Sequence, residues 1–271
     1  MLLLFLLFLL FPTLALGQAP LSANLRQGLV GRWVVSPLTK GGLTWYPQVG
    51  QDKGTLVNGV NGYQPTFRPG GVGEMRFDGT NDQINTGTTV LLANLPAFTI
   101  CLWFRSASTA AQQLYTENIS GWPDLHIVIN WGDPTKIYFN NYGNTGQVES
   151  SGVPAFALDS NVWQHVCGVQ RSKSSGEIYS NGKLIGVSTG TVGTSTPSAR
   201  AFGASPQGSN LFSGALDDVC TWTRALNAAE IQQVYIESQN KPSQAFALYD
   251  ALFPTVVTTR RGLLNYFTTP K

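Results

Sequence analysis

Residues 98–104, Phe-Thr-Ile-Cys-Leu-Trp-Phe, leave the chain few ways to fold. On an extended backbone side chains alternate between faces, so Phe98, Ile100, Leu102 and Phe104 share one side and Thr99, Cys101 and Trp103 the other. Both sets call for burial. A strand apolar on both faces belongs in the middle of a covered sheet, and the arrangement it predicts here is two antiparallel sheets packed face to face. Turn signals punctuate the other short runs. Asp78-Gly79 separates the run ending in Phe77 from the one begun by Ile84, and Asn181-Gly182 joins 176–180 to 183–186 as a type I′ hairpin turn. Residues 125–130 and 136–140 alternate about Gly132-Asp133-Pro134, so 122–142 reads as a further hairpin.

Residues 212–231 close the pattern. Gly214 opens a strand, 216–222 alternates, Asn227 is a good N-cap and Glu230 completes a capping box. Ile231, Val234 and Tyr235 then recur at helical spacing, which predicts a short helix at 227–237. Residues 27–35 read as the opening strand; 45–61 and 190–209 read as loops. Lys241-Pro242 ends the helix, and 241–271 has no periodicity and reads as a tail. The fold class expected is all-β: an antiparallel two-sheet β-sandwich of jelly-roll type with one short C-terminal helix.

In this order the landmarks resemble the laminin-G-like branch of the concanavalin A-like lectin/glucanase superfamily. The resemblance is carried by Phe77-Asp78-Gly79, the Trp103 strand, Trp163 with His165-Val166 ahead of Asn181-Gly182, and the closing Leu216-Asp217-Asp218 followed by Arg224-Ala225-Leu226. It covers residues 26–238. It implies a recognition domain for carbohydrate or another extracellular ligand, and His165 as a structural histidine before a core strand. It also implies a possible structural calcium near Asp52, in the loop ending Gly54-Thr55-Leu56, and Asp217. The chain departs from the pattern at Ser36-Pro37, where acids are usual, and Asp52 is the only acid of its loop, a thin oxygen supply for calcium. Hydrogen bonding to backbone amides is the preferred reading of Asp217, since a buried carboxylate must be paired. Asp78 and Asp82 read first as turn residues and second as cation ligands.

The 271 residues suit one domain, 20–240, between a leader (1–19) and the tail (241–271). The Leu/Phe run of 2–11 is too short to span a bilayer and predicts a secretory signal peptide cleaved near Gly17 or Ala19, the alternative being an uncleaved membrane anchor. The expected location is therefore secreted or cell-surface. Seventeen basic against fifteen acidic residues leave no electrostatic footprint for nucleic acid. Cys101, Cys167 and Cys220 all lie in strand-like runs without metal or redox spacing. Free buried thiols are the favoured reading, and a disulfide that leaves one odd thiol is the alternative.

Glucan cleavage in the same superfamily needs carboxylates two residues apart on one strand face. No such run exists, and Asp217-Asp218, the one adjacent acid pair, alternates to opposite faces on a regular strand. His126 and His165 are the only histidines, and no nucleophile-elbow, zincin or phosphate-loop motif is present. A non-catalytic protein is expected. Sugar binding asks for flat aromatic faces and planar polar groups. Trp122, His126, Asn130, Trp131, Tyr138 and Asn140 cluster in one region, with Asn141 and Tyr142 beside them and His126 expected at the surface. This cluster reads either as a glycan platform or as an ordinary solvated sheet face. Asn118-Ile119-Ser120 is a glycosylation sequon. Three functions follow: a secreted lectin-like domain; a structural or adhesion protein acting through an extracellular or surface protein partner; and a hydrolase with an unfamiliar site.

Overall fold

The computed structural model describes residues 20–35, 44–57, 61–64, 74–118, 123–142, 147–154, 156–193, 197–205 and 208–239. The leader, Ser36-Pro37, Trp122 and the tail lie outside them. The elements in chain order are α1 (Ala23–Arg26), β1 (Leu29–Trp33), β2 (Thr44–Trp45), β3 (Gly54–Val57), β4 (Asn61–Gln64), β5 (Glu74–Asp78), β6 (Gln83–Thr86), β7 (Phe98–Ser106) and β8 (Gln112–Asn118). They continue with β9 (Pro123–Ile129), β10 (Ile137–Asn141), β11 (Val148–Gly152), β12 (Gln164–Ser172), β13 (Ser175–Ser180), β14 (Lys183–Thr189), β15 (Ala199–Phe202), β16 (Ser213–Trp222) and α2 (Ala228–Ser238). The first sheet runs β14-β13-β12-β7-β16-β5-β4, with β1 also on β16; the second runs β11-β10-β9-β8-β15-β6-β3-β2. The two form the antiparallel jelly-roll sandwich expected.

The doubly apolar strand takes the central place its composition demands. β7 lies between β12 and β16, and Phe98, Ile100, Leu102 and Phe104 are fully buried in the core between the sheets. Phe202 of β15 gathers Trp33, Trp45 and Tyr115, with ring centroids 5.3, 6.0 and 5.7 Å away. Each such side chain withdrawn from water contributes ~1.5–3 kcal/mol.

A second apolar layer covers the outside of the first sheet. Cys101, Cys167, Val169, Tyr179, Cys220 and Trp222 pack there beneath Leu21 and Leu25 at the α1 end and Ile231 and Val234 of α2. Helix α2 starts where its cap requires: Asn227 Oδ1 accepts from Glu230 N (3.0 Å) and Glu230 Oε2 accepts from Asn227 N (2.9 Å). The Trp103 indole donates to Ser238 Oγ at its far end, 2.8 Å.

Here the structure corrects the expected free thiols. Cys101 and Cys167 are direct cross-strand partners on β7 and β12 and form a disulfide; Cys220, opposite Cys101 on the other side, remains a buried thiol. Register places the three cysteines in one row, so two of them meet although they are 66 residues apart.

Asp217 and Asp218 are a second correction. The ladder of β16 shifts between Asp217 and Cys220, and Asp218 adopts φ 46°, so simple alternation fails. Both carboxylates serve the β1 segment. Asp218 accepts two bonds from Arg32, at 2.8 and 3.0 Å, and Asp217 Oδ1 accepts from Val35 N at 3.0 Å and Asp218 N at 2.7 Å.

Short strands also appear where loops were expected. β3 and β15 lie in the two segments read as loops, and β15 is held between β8 and β6. At one margin the sheets nearly touch. Cβ atoms added at Gly186 and Gly190 would meet the carbonyl oxygens of Ser151 and Gln147, and one at Gly152 would meet that of Ile185. Glu149 N donates to Ser188 Oγ across this seam, 3.1 Å.

Candidate functional site

The site is built on the outer face of the second sheet by the β9–β10 hairpin. Ile127 pairs with Phe139 and both enter the core, so the neighbouring pairs, His126 with Asn140 and Val128 with Tyr138, face outward. β8 sets Thr116 opposite His126 and Gln113 opposite Val128; β11 sets Glu149 opposite Asn140 and Ser151 opposite Tyr138. A polar row, Thr116–His126–Asn140–Glu149, thus crosses four strands.

The row is less exposed than its composition implied. His126 and Asn140 are completely buried, a correction to the exposed histidine and solvated face expected from alternation. Asn140 Nδ2 lies 2.8 Å from His126 Nε2 and 3.2 Å from the Tyr142 hydroxyl. Burial lowers the His126 pKa to about 3, so the ring is neutral. With the Asn140 amide donating to Nε2, the ring proton belongs on Nδ1.

Above this pair stand two aromatic rings. Tyr142 packs edge-on to His126 at 5.5 Å, and Trp131, at the hairpin tip and 37% exposed, lies 6.1 Å from it. Asn130 starts the turn at φ 60° and donates its amide to the Ser108 and Ala110 carbonyls, both 3.0 Å away. Tyr138 is nearly buried, and burial raises its hydroxyl pKa. His126 Nδ1, Asn140 Oδ1 and Asn130 Oδ1 have no hydrogen-bond partner. Each buried group left without a partner costs about 1–3 kcal/mol.

The structure therefore brings His126, Tyr138 and Asn140 to one face with Trp131 against His126, while the Asn130 amide turns to the β7–β8 connection and Trp122 lies outside the described residues. Asn141 has the inward parity of Phe139 and is buried. Thr116 and Glu149 join the face from β8 and β11, strands with no marked alternation in the sequence. Asn118, the acceptor of the sequon, is buried at the end of β8.

Asp52 and Asp217 do not form a calcium site together. Asp52 accepts from Thr89 N, 3.2 Å from each oxygen, and from Arg200 Nη2 at 2.6 Å. Burial pushes its pKa up, but the Thr89 bonds and the Arg200 charge outweigh burial and hold it below the usual range. A guanidinium occupies the place a cation would take, and Asp217 faces backbone amides instead. Calcium takes six to eight oxygens, and this donor set does not fit it. Among the described residues three metal-type ligands converge only at Cys101, His165 and Cys167, two of them the disulfide sulfurs.

Four other carboxylates are similarly committed. Glu117, fully buried, accepts from the Tyr115 hydroxyl (2.6 Å) and from Leu92 N and Ala93 N (2.7 and 2.9 Å), and burial raises its pKa. Glu74 binds Arg105 and Arg76. Asp78 and Asp82 bond within their own turn, Asp78 Oδ1 accepting from Thr80 N and Asp82 Oδ2 from Asp78 N.

Comparison with known proteins places this geometry among relatives. A laminin-G family description, the concanavalin A-like lectin/glucanases superfamily, matches residues 78–232, more than half of the chain. Human neuronal pentraxin-2 is 26% identical over 172 residues, which cover 59% of this chain and 38% of that protein. The chain thus spans well under two thirds of the length of the curated relatives it matches. Among solved structures, the binding domain of botulinum neurotoxin DC in complex with SialylT superposes with a TM-score of 0.60 at 13% identity, covering 78% of this chain and 52% of that one. Trypanosoma rangeli sialidase gives a TM-score of 0.55 at 17% identity, covering 77% and 32%. These structural likenesses establish the fold.

Proposed function

The chain belongs to the concanavalin A-like lectin/glucanase superfamily, and from that premise we propose that it is a secreted or surface-displayed, non-catalytic domain that binds carbohydrate. The observation that carries the reading is the set of three unpaired polar atoms, on His126, Asn130 and Asn140, beside the half-exposed Trp131 ring. An imidazole donor and two amide acceptors match the hydroxyls of a sugar, and the indole matches its apolar C–H face. Solved neighbours support a glycan partner: one is bound to SialylT, and another comes from a study in which entry of botulinum neurotoxin type C depends on two ganglioside molecules.

The absence of catalysis is supported by the carboxylates. Glu74, Glu117, Asp52, Asp217 and Asp218 are buried and bonded to cations, hydroxyls or backbone amides, leaving none of them poised as acid or nucleophile. Secretion is supported by the apolar leader and by the disulfide, which persists in oxidising compartments.

The test is a glycan array on the full chain, run with calcium and again with chelator. Saturable binding that is indifferent to chelator and weakened at least about tenfold by Trp131→Ala is the expected result. No binding by folded protein would overturn the reading. A second reading, adhesion through a protein partner, is favoured by exposed Leu184 and Val187 on β14 and exposed Val153 and Phe156 after β11. It predicts a complex, by sedimentation, that Leu184→Ser and Val187→Ser dissolve.

A further inference from the structure

Resting on the glycan-binding reading, we infer that the β9–β10 face selects neutral sugars over sialylated or otherwise anionic ones. The charges around the unpaired atoms carry this inference. Glu149 is the direct cross-strand partner of Asn140, and Asp133 lies two residues from Trp131 in the same turn. Directly opposed strand residues have Cβ atoms about 4.5–5.5 Å apart, so one carboxylate borders the row on the β11 side. Lys136, Asp133 and Glu149 all act on Tyr138, and Glu149 also acts on Tyr142.

Positive charge is scarce there. Lys136 is the cation of this hairpin and its ammonium is bound to Asp133 at 3.3 Å, so those two charges offset one another and Glu149 is the remaining acid beside the row. Recognition of a sugar carboxylate calls for a guanidinium fork or an equivalent cation. Among the described residues, the strands presenting the face contribute no arginine to it. Arg200, on neighbouring β15, is buried and donates to Asp52, Thr86 Oγ1, and the Val90 and Gly87 carbonyls. His126, which would attract an anion if protonated, is neutral in its buried place.

The remaining chemistry is uncharged: one imidazole N–H donor and two amide oxygen acceptors, partnerless and covered. A hydroxyl supplies both roles at once, accepting from the donor and donating to an acceptor; a carboxylate can only accept. Two of the three free positions are acceptors and would face a carboxylate with unrelieved repulsion. Trp131, 37% exposed, lies beside these atoms with its ring 6.1 Å from His126. That ring lies on a turn and makes its observed aromatic contact with His126.

The experiment uses the full chain and paired probes that differ by one acidic sugar. Calorimetric titrations compare lactose with 3′-sialyllactose and N-acetyllactosamine with its sialylated form; maltose and methyl α-mannoside widen the neutral set. At least one neutral probe should bind, and sialylation should weaken it about tenfold or more. The Asp133→Asn/Glu149→Gln double variant should narrow that gap, with its melting temperature confirming the fold. Equal or tighter binding of the sialylated probes, or a gap unchanged in the double variant, overturns the selectivity. Failure of every probe, neutral and acidic, overturns the glycan reading and this inference together, so the two failures are told apart.

Discussion

The outer faces of the two sheets are made of different chemistry. Outside the first sheet, a disulfide, a buried tryptophan and valine are sealed under α2, and the indole of Trp222 is satisfied by Leu25 O at 2.7 Å. Outside the second sheet, a histidine and two asparagines are just as buried, yet each keeps one polar atom unpaired. Equal burial therefore accompanies opposite bookkeeping of hydrogen bonds. One face is completed by the chain itself, and the other keeps three polar atoms without a partner. For the proposed recognition role, one face holds the sandwich and the other is left unfinished.

The sharpest way to break the contrast is to unseal the first face. Replacing Cys101 and Cys167 by alanine removes a link across 66 residues and should lower stability by about 4 kcal/mol in chemical denaturation. A loss below about 1 kcal/mol would mean that α2 and the N-terminal segment carry that face without the bond.

Acid should act on the second face. The folded pKa of His126, about 3, lies below its ordinary 6.5, so below pH 6.5 the unfolded chain binds a proton that the folded chain refuses. Stability is full above pH 6.5, falls as pH drops from there towards 3, and should be about 2 kcal/mol lower at pH 5 on this account. Denaturation of the wild type and of His126→Gln at pH 7 and pH 5 isolates the effect; equal slopes would show that the ring protonates in place.

Smaller still is the cap. Asn227→Ala removes the bond to Glu230 N and should cost about 1 kcal/mol, with the loss centred on α2 in hydrogen exchange. Smallest of all should be Trp131→Ala, within about 0.5 kcal/mol in stability while it removes glycan affinity. A large stability loss there would make the tryptophan a structural lid and erase the difference between the faces.

What was legible in the sequence was local. The 98–104 strand, the Asn181-Gly182 turn with φ of 49° and 77°, and the Asn227–Glu230 capping box each depend on neighbours within a few residues. The antiparallel sandwich followed from them. What depended on register was hidden. Cys101 meets Cys167 only because β7 and β12 align, and Asp217 and Asp218 abandon alternation only because the β16 ladder shifts. β15 reads as loop because its four residues, Ala-Arg-Ala-Phe, are held by the strands on either side. At the candidate site, the hairpin grouped His126, Asn130, Trp131, Tyr138 and Asn140 from sequence alone. That His126 is buried did not follow, because a two-residue period tells which residues share a face and not what covers it.

The glycine seam has a mechanical consequence. Gly152, Gly186 and Gly190 let the β11 and β14 edges approach to backbone contact along one margin of the sandwich. The sheets are tied on the β1 side as well, where Arg32 N donates to Val49 O at 3.1 Å and Gln48 N donates to Arg32 O at 2.7 Å. The β9–β10 face lies one and two strands from this glycine margin. A side chain larger than hydrogen at any of the three glycines would meet a backbone carbonyl of the facing edge, and so would push the two sheets apart there rather than reshape one loop.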